Sequence, residues 1–126
     1  MKFNLLDKSD SLEIRDKEDR MIFSSKGHWI TPLLQARQIL AGQDLSQCML
    51  YDTKAGRAAA CLAHSLGIRT VCIGLVSRWA LDYYLSRGMT AYYDQVVDRL
   101  ACRTEDLITA EMDDQSILAL IESLNA

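Results

Sequence analysis

Apolar and polar positions change rhythm twice along this chain. From Ser11 to Arg15 they alternate, Leu12 and Ile14 against Glu13 and Arg15, which is the two-residue period of a strand with one buried face. Met21-Ile22-Phe23-Ser24 follows the charged stretch Asp16-Lys17-Glu18-Asp19-Arg20, so the two segments predict an antiparallel hairpin. At Thr31 the spacing turns helical. Thr31 reads as N-cap, Pro32 as the first helical position, Leu33, Ala36 and Leu40 as the apolar side, and Gly42 as the stop.

The second change brings short, nearly continuous apolar runs. Cys48-Met49-Leu50-Tyr51 predicts a strand, followed by a helix over 54–65 that stops at Gly67. Thr70-Val71-Cys72-Ile73-Gly74-Leu75-Val76 has the unbroken apolar character of a strand covered on both faces. Ser77 caps a helix over 78–86 that ends at Gly88, and Thr90-Ala91-Tyr92-Tyr93 is the last strand. Helices over 104–112 and 115–124 close the chain.

Helix, glycine, strand recurs through Gly42, Gly67 and Gly88. That cadence signals right-handed crossovers and a mainly parallel sheet. The predicted architecture is a three-layer α/β/α sandwich, its mixed five-stranded sheet carrying the hairpin at one side. All 126 residues form one domain, with a core over 11–112 and a C-terminal helix over 115–124.

Composition changes this picture little. Apolar residues make up 49% and charged residues 25%, ordinary for a globular chain, and a net charge of −3 points to neither nucleic acid nor an anionic membrane. No apolar run reaches membrane-spanning length, and Met1-Lys2-Phe3-Asn4-Leu5-Leu6-Asp7 lacks the core of a signal peptide, so a cytoplasmic location is expected. Cys48, Cys61 and Cys72 fall in apolar elements without metal or disulfide spacing and read as buried packing residues.

The densest polar chemistry is Asp52-Thr53-Lys54-Ala55-Gly56-Arg57, where a strand ends and an alanine-rich helix opens. Ligands of open parallel sheets bind at that rim. The plain alternative makes Asp52 or Thr53 an N-cap and leaves both cations in solvent. Lysine early in a helix opposes the macrodipole, so an anion or a buried carboxylate is expected between Lys54 and Arg57. Lys54, Arg57, Cys61 and His64 share one helical stripe, with His64 in solvent and Cys61 against a neighbour.

Ser77 ends the fourth strand beside this rim, with capping as a sufficient reason for a serine there. Cys102-Arg103-Thr104-Glu105 opens a helix, and a thiol next to arginine there would have its thiolate favoured. Thr104 as N-cap with acidic residues in the first turn is the structural account of the same residues. His28, in Gly27-His28-Trp29, reads as an exposed loop histidine. No phosphate loop, nucleophile elbow or zinc motif occurs.

The words Thr31-Pro32-Leu33-Leu34, Asp52 to Ala60, Ser77 to Ala80 and Cys102 to Glu105 resemble the uncharacterised prokaryotic DUF1893 family over about 11–112. The resemblance implies a cytidine-deaminase-like fold. The deaminase zinc ligands and acid–base glutamate have no counterpart here. Thr31-Pro32-Leu33 and Lys54-Ala55-Gly56-Arg57 stand in their places, so the activity does not carry over.

The reading that follows is a binding protein for a small anionic or nucleotide-like molecule. Asp52, Lys54, Gly56, Arg57 and Ser77 form its site, Thr31, Glu105 and Cys102 lie nearby, and no metal or cofactor is required. Lys54 and the helix N-termini hold the anion. Two other classes stay open. One is a metal-independent enzyme with Lys54 as general base, Asp52 beside it, or Cys102 as nucleophile. The other is a regulatory or structural subunit, in a homo-oligomer, with Tyr83-Tyr84 and Tyr92-Tyr93 at an interface.

Overall fold

The computed structural model describes residues 3–101 and 103–124, the side chain of Arg103 apart. Strands β1 (Leu12–Arg15) and β2 (Met21–Ser25) precede helix α1 (Thr31–Ile39). Then come β3 (Met49–Ala55), α2 (Arg57–Ser65), β4 (Thr70–Ser77), α3 (Arg78–Ser86), β5 (Thr90–Val97), α4 (Arg103–Leu107) and α5 (Asp114–Leu124).

One sheet runs in the order β2-β1-β3-β4-β5. β1 pairs antiparallel with both neighbours, while β3, β4 and β5 pair parallel. The expected fold class holds: an α/β molecule with a five-stranded mixed sheet, an N-terminal hairpin and five helices, consistent with a three-layer sandwich. The core gathers Leu12, Ile14, Leu50, Val71 and Ile73 of the sheet with apolar residues of α1, α2, α3 and α5. A second, smaller cluster of Leu5, Tyr51 and Cys72 packs with Phe3 and Met49.

The stop signals work as the sequence suggests. Gly67 and Gly88 have φ of 85° and 71°, a region that costs a residue with a Cβ. In both cases two backbone bonds close the helix, Gly67 N to His64 O and Ile68 N to Ala63 O, then Gly88 N to Leu85 O and Met89 N to Tyr84 O. Buried Ile68 and Met89 then lead the chain back into the core.

Four boundaries differ from the sequence expectation. β3 continues through Ala55, so Asp52, Thr53 and Lys54 are strand residues and Gly56 is the N-cap of α2. Pairing holds them extended: Leu12 lies opposite Asp52 on one side, and Leu75 and Val76 lie opposite Lys54 and Ala55 on the other. β5 runs on through Asp94-Gln95-Val96-Val97 because β4 supplies a partner for these residues. The N-cap of α1 is Ile30, not Thr31, which already belongs to the helix. α4 ends at Leu107, far short of Met112.

Candidate functional site

The alternation of a strand puts Leu50, Asp52 and Lys54 on one face of β3, with Tyr51 and Thr53 on the other. Leu50 sits in the core. Two residues on, Asp52 is still 94% covered, its exposure being 6%, while Lys54 at the end of the strand is exposed. A cavity of about 570 Å³ opens over this edge. Asp52, Thr53 and Lys54 of β3, Leu75 of β4 and Val97 of β5 form its sheet side, and Gly56 and Ala59 bring in the start of α2. Ser11 and the segment 27–30 close it on the hairpin side, and residues 99–101 with Thr104 on the other.

Asp52 is the unusual group here. Its carboxyl is pushed up to about 8 by burial, which two backbone N–H groups, those of Lys54 and Thr53, only partly oppose. The Lys54 N–H stands 3.4 Å from Oδ1. Among the described residues no basic side chain forms an ion pair with it. At neutral pH the group is therefore mainly a neutral acid, able both to donate and to accept a hydrogen bond. Buried Tyr84 lies within its electrostatic reach, and the Tyr84 hydroxyl has no hydrogen-bond partner among the described residues.

A buried carboxylate does stand at the start of α2, that of Glu105, but on the backbone N–H of Arg57 and not between the side chains of Lys54 and Arg57. This fully buried residue of α4 accepts a bond from the Arg57 N–H at 2.8 Å through Oε2. A Cβ on Gly56 would collide with the same carboxylate, so any larger residue there displaces the Glu105 side chain. Among the described residues Oε1 of Glu105 has no partner. The α2 N-terminus is thus filled from within the chain, which corrects the expectation that it holds an external anion.

Other expected site residues are placed elsewhere. Arg57 does not line the cavity. Its guanidinium donates to the Thr109 and Met112 carbonyls at 2.9 and 3.1 Å and stacks on Trp79 at 4.5 Å, tying α2 to the α4–α5 connection. Ser77 is fully buried and caps α3, accepting from the Ala80 N–H at 3.0 Å. Thr31 is exposed at the start of α1 and lies off the cavity wall. Cys102 falls outside the described residues. Of the polar candidates, Asp52, Lys54 and Gly56 are brought together; Thr31, Arg57, Ser77 and Glu105 are not.

The cavity also recruits residues that the sequence reading set aside. His28 and Trp29 are part of its wall. Trp29 is 75% exposed, with φ of 62°. Arg99 lines the opposite side and donates to the Glu105 carbonyl and the Asp106 carboxylate at 3.2 and 3.0 Å. The Gly27-His28-Trp29 word was the available signal, a glycine and two side chains of possible ligand chemistry just before a helix.

Behind α2, the stripe Arg57, Cys61, His64 faces α5 and its approach. Cys61 Sγ lies 3.8 Å from the Asp114 carbonyl, and His64 approaches the Asp114 carboxylate at 4.0 Å. Lys54, as a strand residue, is not on that stripe. Tyr83 and Tyr84 are buried, whereas Tyr92 and Tyr93 are exposed on edge strand β5. Among the described residues no three His, Cys, Asp or Glu side chains gather as a metal ligand set, and no helix is long and apolar enough to cross a membrane.

These features define an α/β protein with a cavity at the carboxyl edge of its parallel strands. In three dimensions the chain is similar to a DUF1893 family protein from Thermotoga maritima, with a TM-score of 0.83 over 93% of this chain and 82% of that one. The two sequences are 22% identical, so the likeness establishes a shared fold. No family model matches the chain, and no curated protein matches it.

Proposed function

We propose that this chain is a binding protein for a small organic acid, which enters the cavity over β3 with its acidic end on Lys54. The observation that carries the reading is Asp52, a buried carboxyl group without a basic partner in the wall of an open cavity. Buried ionisable groups in a stable core normally have a charged partner, and one that has only backbone N–H groups beside a cavity is a group kept for something else. The size suits a metabolite. Lys54 stands at the mouth, exposed and without an acidic partner among the described residues. The resemblance to a deaminase-like family that lacks zinc ligands is compatible with a site built on these side chains alone.

Native mass spectrometry of freshly purified protein tests the reading, because a retained small acid would be seen as added mass. Lys54→Met should weaken binding of that compound by about tenfold, the order expected for a lost charged contact, and leave folding intact because the side chain is exposed. An unchanged affinity in the variant sinks the reading.

A second reading has one observation in its favour. A carboxyl group that holds its proton to about pH 8 is matched to proton donation near neutrality, so Asp52 suits a general acid. Lys54 suits the base role less well, since the burial that would favour it is missing. Turnover of a retained compound that disappears in Asp52→Asn would establish this enzyme reading over simple binding.

A further inference from the structure

The cavity has polar ends of different kinds. Asp52 is its covered end and Lys54 its open end. Being two residues apart on one strand face, they have Cα atoms about 6.6 Å apart along the strand. Ala59, Leu75, Val97 and Leu100 supply apolar wall around them.

This arrangement constrains the occupant. An apolar group pushed against Asp52 would leave the carboxyl with its backbone N–H partners alone, and an acidic group could do no more than share its proton. An ammonium would bring both the missing charge and several N–H donors, and charge-assisted bonds of this kind are the strong ones. The other end of the molecule then meets the Lys54 ammonium, which asks for an acid.

We propose that the occupant is a dipolar molecule, with an amine that docks on Asp52, a short apolar middle against the cavity wall, and a carboxylate that reaches Lys54. The inference rests on the binding reading above and adds the inner, cationic end. A ligand of this class is selected at both ends. A plain acid lacks the group that Asp52 needs, and a plain amine lacks the group that Lys54 needs.

Three probes of similar length separate the possibilities: caproate with an acid alone, ε-aminocaproate with an acid and an ammonium, and adipamate with an acid and a neutral amide. Titration calorimetry on the full chain should show ε-aminocaproate binding at least about tenfold more tightly than either of the others, the size of effect expected when a buried carboxyl gains a charged partner. In Asp52→Asn that advantage should vanish. The comparison on the unmodified chain stands even if the variant folds poorly. Equal binding of caproate and ε-aminocaproate overturns the dipolar ligand but keeps the acid-binding reading. Adipamate binding as well as ε-aminocaproate replaces the ammonium with a neutral donor and overturns the inference too. No binding by any probe removes both the inference and the reading beneath it.

Discussion

Two buried carboxyl groups, Glu13 and Asp52, lie one register step apart on neighbouring strands and have opposite fates. Glu13 sits opposite Tyr51, and Asp52 sits opposite Leu12, so they occupy different faces of the sheet. Glu13 is fully buried, yet its pKa is lowered: burial pushes it up, and the Arg15 guanidinium at 2.7 Å with the Leu6 and Asp7 N–H groups at 3.0 and 3.1 Å more than offset this. Arg15 is held in turn by Asp19 at 3.1 Å and by stacking on Tyr51 at 3.9 Å. Among the described residues Asp52 has backbone N–H groups as its partners and no basic side chain. Burial alone therefore does not mark a functional acid. What separates the two is whether the fold completes the set of partners.

The largest way to break this comparison is to make Glu13 resemble Asp52. Arg15→Met leaves a fully buried carboxylate without its guanidinium and should cost about 3–5 kcal/mol, read as a lower urea midpoint with an unchanged slope. A loss well under 1 kcal/mol would mean that the backbone N–H groups suffice and that the contrast is false.

A second, smaller effect sharpens the comparison through pH. The Asp52 carboxyl takes its proton near pH 8 in the fold, against 3.8 ordinarily. Between these values the folded chain binds a proton that the unfolded chain does not, so this contribution falls as pH rises from about 4 to about 8, on the order of a few kcal/mol in all. Glu13 has the opposite sign, because its lowered pKa gives stability that is present above about 4.5 and lost as pH falls. Unfolding midpoints across this range should decline less steeply towards pH 8 in Asp52→Asn than in the unmodified chain. Parallel curves would show that Asp52 is solvated or paired.

The smallest expected effect concerns Glu105, which lies between the extremes with one oxygen bonded and the other without a partner among the described residues. Gly56→Ala forces its carboxylate away from the Arg57 N–H and should cost about 1–2 kcal/mol, the worth of an N-cap, visible as a lower melting temperature. A melting temperature at or above that of the unmodified chain would show that the cap contributes nothing.

The sequence made some of this legible. The bounds of α3 and its Ser77 cap follow from local signals alone, since a capping serine and a glycine stop act on the residues beside them. The ends of β3 and β5 do not, because Lys54 and Asp94-Gln95 are extended only through strands distant in the chain. The Asp52 rim was visible as a strand end rich in charge, but the direction of each side chain was not. Arg57 and Glu105 carry polar chemistry of the right kind and spend it on holding α2, α4 and the segment before α5 together. His28 is the exposed loop residue that its sequence suggests, and only the return of the hairpin brings it and Trp29 to the cavity.

Arg57 through Ala63 are all buried, so α2 is enclosed along most of its length. The cavity consequently works like a vice with one fixed jaw. α2 and the strand edge give a face with no room to shift, and α4 is clamped to it by the buried Glu105 carboxylate and by Ile108 in the core. Any adjustment of width to guests of different girth falls to the exposed Trp29 on the hairpin side.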